Sequence, residues 1–153
     1  MPGRPPFWPE GLPATAYIPG KTPRPPEGAF DALRASARPG MPAADLIASP
    51  AWRAGLRFDA AGFHWEAHEV MEAVWLALPP NSTERRVVRA AIQLANARLK
   101  LRMGRPGACL RLVELVAKLA VADPVPQACL TAMGLPRGWP GQELAELRDR
   151  ANR

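Results

Sequence analysis

Residues 63–75 read Phe63-His64-Trp65-Glu66-Ala67-His68-Glu69-Val70-Met71-Glu72-Ala73-Val74-Trp75, a run free of proline and glycine. Its apolar residues recur every three or four positions, the period of a helix and not the alternation of a strand. The pattern predicts a helix over residues 60–78, with Asp59 able to cap its start and Pro79-Pro80 stopping it. At about 100° per residue, His64, His68, Met71, Glu72 and Trp75 share an arc of roughly 100°, with Trp65 at its margin. Phe63, Ala67, Val70, Val74 and Leu78 extend the apolar face, which leaves Glu66, Ala73 and Ala77 facing water and Glu69 near the boundary. His68 and Glu72 thus fall among aromatic and thioether neighbours, where an unpaired charge is costly, so they need partners.

The next helix offers them. Residues 87–97 are apolar all round except Arg89, Gln93 and Asn96, which with Lys100 form one stripe at i, i+4, i+7 and i+11. Two helices joined by the short turn at Pro79 to Asn81 are expected to be antiparallel neighbours whose stripes face each other. The expected result is an inter-helix polar cluster of His68, Glu72, Arg89 and Gln93, with Glu69 and His64 at its rim. Removing one member, as in Glu72→Ala, should then cost on the order of 1–3 kcal/mol by leaving the others unsatisfied.

Outward from this pair, the punctuation is helical throughout. A short helix is expected from residue 27 to 37, ended by Pro39-Gly40, and Ser49-Pro50 opens another to about residue 57. Asn81 with Glu84 resembles a capping box for a central helix over residues 84–103 that ends near Gly104. Pro106 restarts a helix to about residue 122, Asp123-Pro124 caps a short one closed by Gly134, and Pro140 begins a terminal amphipathic helix to about residue 151. No segment alternates like a strand, so the fold class is all-α: a compact multi-helical bundle around a largely buried central helix. Residues 1–26 hold nine of the nineteen prolines and read as an extended arm before a single helical domain over residues 27–153. Within the arm, Phe7, Trp8, Tyr17 and Ile18 are apolar enough to dock it as a strap.

The segment from His64 to Trp75 resembles the signature of the Domain of Unknown Function 309 family, aromatic-x-Glu-Ala-His-Glu-x-x-Glu-x-x-Trp, which residues 63–75 follow closely. That family's later Ile-Gln-Leu-Ala helix appears as Ile92-Gln93-Leu94-Ala95, and its Gly-x-x-Gly-Ala turn as Gly104-Arg105-Pro106-Gly107-Ala108. The resemblance covers roughly residues 55–120 and carries over His68, Glu69, Glu72, Trp75 and Gln93. It implies a compact helical fold around a largely buried central helix, and it implies no activity. The chain departs from the pattern at Arg89-Ala90, where Gln-Gly is usual, and this adds a positive charge beside the cluster.

Composition narrows the functional classes. The 153 residues with 48% apolar and 22% charged side chains suit one globular domain. No apolar run is long enough for a membrane span and no signal peptide is apparent, so a cytoplasmic location and no membrane partner are expected. Cys109 and Cys129 fit neither a disulfide framework nor zinc-ligand spacing and read as small core residues. The net charge of +6 favours acidic partners only weakly. Arg85, Arg86, Arg89, Arg98, Lys100, Arg102, Arg105 and Arg111 spread around their helices instead of forming one stripe, so no nucleic-acid partner is expected.

His64, His68 and Glu72 at successive helical turns have the spacing that can hold a divalent metal through two imidazoles and a carboxylate. They do not form the zinc-protease motif, which needs His-Glu-x-x-His. Arg89 would oppose a cation, so a metal cofactor is allowed but not favoured. Glu69 or Glu72 could act as a general base with His68, yet no nucleophile elbow, phosphate loop or dinucleotide fingerprint accompanies them. The favoured reading is therefore a binding or scaffold module, with a protein partner or self-association. The alternative is a metal-dependent or acid/base enzyme using the same His/Glu cluster.

Overall fold

A computed structural model of the chain describes residues 12–153. Among these residues the secondary structure is entirely helical: α1 (Asp31–Arg34), α2 (Ala43–Leu46), α3 (Pro50–Ala60), α4 (His64–Ala77), α5 (Thr83–Arg102), α6 (Pro106–Ala120), α7 (Gln127–Ala132) and α8 (Gly141–Ala151). The all-α bundle expected from the periodicity is what is found. Helix α5 is its centre, packed against α4, α6 and α8, while α3 lies on α4 and α1 lies on both. Nine side chains of α5 are buried, from Val87 to Leu99, and four of these, Ala90, Ala91, Ala95 and Ala97, are small enough to let neighbours approach on several sides.

Local chemistry explains most boundaries. Ser49 caps α3 by accepting the Trp52 N–H, with Pro50 at the first helical position. At α5 the cap is Ser82, which accepts the Arg85 N–H at 3.1 Å, and not the expected Asn81. Asn81 instead turns the chain with φ 66°, a left-handed conformation that asparagine tolerates better than most residues. Asp59 caps nothing. Helix α3 runs past it to Ala60, Gly62 reverses the chain at φ 92°, and α4 starts at His64 without a side-chain cap. The helix expected over residues 27–37 shrinks to the single turn of α1, because Gly28 at φ 78° holds the preceding residues in a turn. The single-turn helix α2 was not expected, and α7 begins later than Asp123-Pro124 suggested.

Two contacts fix how α3 lies on its neighbours. A Cβ on Gly55 would sit 2.6 Å from Cγ of Met71, so the missing side chain is what lets α3 and α4 come this close. The buried indole of Trp52 donates to the Met133 carbonyl at 2.8 Å and ties α3 to the end of α7. Of the proline-rich stretch, Phe7 and Trp8 lie outside the described residues. Tyr17 and Ile18 do dock: the Tyr17 ring meets Trp65 edge-on at 5.0 Å between centroids, and Ile18 is buried. Arg24 lies over the same indole, and Lys21 donates to the Arg102 carbonyl at 2.8 Å.

Candidate functional site

Helices α4 and α5 are neighbours, and their polar stripes converge on one small cavity. His68, Glu72 and Trp75 from α4 and Arg89, Ile92 and Gln93 from α5 line a pocket of about 210 Å³. The four side chains expected to meet at this seam are thus brought together, with Trp75 and Ile92 as apolar walls. Trp75 is held by Arg85, whose Nε donates to the Trp75 carbonyl at 3.1 Å while its guanidinium stacks 4.3 Å from the ring centroid. That bond also satisfies a carbonyl in the last turn of α4, where intrahelical donors run out.

The bonding within the cluster is looser than a structural brace requires. His68 Nε2 stands 3.4 Å from a Glu72 oxygen, and His68 Nδ1 stands 3.6 Å from a Glu69 oxygen. Nδ1 is shielded from water yet has no hydrogen-bond partner. Gln93 accepts from Asn96 of its own helix at 3.3 Å, and exposed Arg89 makes no hydrogen bond or ion pair among the described residues. No side-chain hydrogen bond crosses from His68 or Glu72 to Arg89 or Gln93, contrary to the cross-bracing expected. The Glu72 side chain is 43% exposed and that of His68 27%, so water reaches the seam and can satisfy its exposed groups, though not His68 Nδ1.

The metal-ligating set also changes its members. One ligand atom from each of His68, Glu69 and Glu72 lies within 4.8 Å of the others. His64 is not among them. Its Nδ1 is 2.6 Å from Asp59 Oδ1, and the other Asp59 oxygen pairs with Arg98 of α5. Asp59 therefore joins the end of α3 to the starts of α4 and the middle of α5, a role hidden in the sequence because the residue looked like a helix cap. The available signal was a carboxylate five positions before a histidine across a glycine turn.

Glu66, which the helical wheel places toward water, is 0% exposed, and Ala73 beside it on the wheel is buried too. The Tyr17 N–H donates to Glu66 Oε2 at 2.8 Å, whereas Oε1 is buried without a partner. Burial is the main influence on this carboxyl and pushes its pKa above the usual 4.5, against the lowering effect of the Tyr17 and Glu66 backbone N–H groups and of His64 and Arg102. A helical wheel drawn on α4 alone could not include the chain segment at Tyr17 that covers this face.

Residues 52–112 match the family model of DUF309, Domain of unknown function. The match runs from Trp52 on α3 through α4 and α5 to Leu112 on α6, and so includes the seam pocket, Glu66 and the Asp59–His64–Arg98 group. No curated protein and no solved structure matches the chain.

Proposed function

We propose that this chain is a cytoplasmic binding module whose recognition site is the seam between α4 and α5. The carrying observation is the set of uncommitted polar groups around the 210 Å³ pocket: a guanidinium with no internal partner, a glutamine and a partly exposed His/Glu pair, set on Trp75 and Ile92. A pocket of this size suits one side chain of a protein partner. Arg89 and Gln93 offer donors, Glu72 offers acceptors, and the aromatic wall offers apolar area, the mixture found where single anchor residues insert. The domain over residues 27–153 would supply this site, with residues 1–26 as a proline-rich arm of which Tyr17 and Ile18 dock on the domain.

Two observations support the narrower parts of this reading. No helix among the described residues is long and apolar enough to cross a membrane. Several basic side chains of α5 are engaged internally, with Arg86 bonded to the Leu119 and Asp123 carbonyls and Arg102 to that of Gly62, which argues against a basic face for nucleic acid.

The test is a random-peptide selection against the folded protein, followed by NMR of the two histidines under titration with the enriched peptides. The expected outcome is a moving His68 ring signal and affinity reduced about tenfold or more by Arg89→Glu. Peptides that leave His68 unmoved, or that bind the Arg89→Glu variant as well as the parent, would refute the seam as recognition site.

The convergence of His68, Glu69 and Glu72 favours one second reading, a divalent metal held at the seam and used for hydrolytic or acid/base chemistry. Elemental mass spectrometry of untagged protein, beside the His68→Ala/Glu72→Gln double variant, separates the two. Near-stoichiometric metal that disappears in the double variant selects the metal reading. Metal-free protein of unchanged fold leaves the partner pocket.

A further inference from the structure

A larger cavity shares none of its lining residues with the seam pocket. It is an open pocket of about 550 Å³ where the end of α3, the start of α4, the middle of α5 and the segment from Gly134 through α8 come together, with Arg150 exposed at its mouth. This is within the range of sites for small ligands, and its walls combine apolar surface from Leu135 and Trp139 with a few polar groups.

The polar groups have defined roles. Asp59 is committed to Arg98 and to His64 Nδ1, so its charge is already matched. An ionised carboxylate only accepts, so Nδ1 must carry the hydrogen, and in the neutral ring Nε2 is left as an acceptor. His64 is 8% exposed, and Nε2 has no hydrogen-bond partner among the described residues. The other two charged lining groups stand on α8: Glu143 in its first turn and Arg150 in its last. Neither makes an ion pair among the described residues. Seven positions apart, they fall on nearly the same face of α8 and are separated by about 10 Å along its axis.

The cavity therefore presents a carboxylate, a guanidinium and a fixed acceptor between apolar walls. We infer that it binds a short zwitterionic peptide with an apolar side chain. The ammonium group would meet Glu143, the carboxylate Arg150, and a peptide N–H the His64 Nε2, with the apolar side chain against Leu135 and Trp139. Length supports a dipeptide over a single amino acid. Two extended residues span about 7 Å, and the Glu143 and Arg150 side chains leaning inward close the rest of the gap.

The chain has two histidines, so two imidazole C–H signals in proton NMR report on the two pockets, and His68→Gln assigns them. The probe is glycyl-leucine, beside its N-acetyl and C-amide derivatives, each lacking one charge. The expected result is saturable movement of the His64 signal with the His68 signal still, and binding about tenfold weaker for each derivative, the loss of one charge-assisted contact. Glu143→Gln should erase the penalty for acetylation only, and Arg150→Gln that for amidation only. Both substitutions are on the outer helix and leave the Asp59–His64–Arg98 group intact. A still His64 signal, equal affinity for all three probes, or variants that keep the parent's discrimination would each overturn the inference. None of these outcomes depends on what the seam pocket binds.

Discussion

Helix α4 carries polar groups in two contrasting environments. Toward its C-terminal end, His68 and Glu72 line a small pocket with Glu69 beside them, all partly exposed, and His68 stands 3.4 Å or more from either carboxylate. At its N-terminal end, His64 and Glu66 are buried, one bonded to Asp59 at 2.6 Å and the other to the Tyr17 N–H at 2.8 Å. The difference follows from what covers each end. The pocket at the first end is lined by α4 and α5 alone, whereas the second end is closed by the end of α3, by Arg98 and by residues 17–24. Water supplies partners at the rim; inside, the protein must supply them, and interactions there carry a larger share of stability.

The contrast can be broken most severely at Asp59. Asp59→Ala would strand Arg98 and His64 together in a mostly buried site and should cost about 3 kcal/mol in urea unfolding. A loss below about 1 kcal/mol would place the group with ordinary surface pairs and remove the distinction between the two ends.

Glu66 tests the buried end through pH. Its folded pKa is raised by burial, so between 4.5 and that higher value the folded chain holds a proton that the unfolded chain has released. Stability from this group is therefore greatest below about 4.5, falls as pH rises through the window, and stays reduced above the folded pKa. Glu66→Gln keeps an acceptor for the Tyr17 N–H and removes the titration. The difference in melting temperature between variant and parent should grow in the variant's favour as pH rises from about 4 to 8. A constant difference across that range would mean that Glu66 titrates like an exposed carboxyl.

The smallest effect is expected at the rim. Glu72→Ala should change stability by less than about 1 kcal/mol, since the carboxylate is 43% exposed and makes no short contact. A loss of 1–3 kcal/mol, the figure the sequence pattern alone suggests, would mean that the seam closes into a brace in solution.

Legibility in the sequence tracks how local each determinant is. The period of residues 63–75, the Ser49-Pro50 start and the prolines at 79, 80 and 106 act within a few residues, and α3, α4, α5 and α6 were accordingly found within a few positions of where they lie. The seam was also legible, because a short turn makes α4 and α5 adjacent and stripes at known spacing must then run side by side. Short elements were not: α1 and α2 are single turns, too brief for a period to emerge. Asp59 misled because caps and ion-pair partners use the same residue types, and only the position of Arg98, 39 residues later, separates the two roles.

The helical class, the order of the major helices and the polar stripes of α4 and α5 can be read along the chain, since periodicity and capping depend on neighbours in the chain. Which of those polar groups are dry depends on how the helices and the N-terminal segment pack together. Glu66 is buried because residues 17–24 return to cover its face, and His64 is turned from His68 because Asp59 and Arg98 meet it from α3 and α5. Burial depends on everything that packs around a side chain, and a pattern read along one helix contains only the side of it that the helix itself supplies.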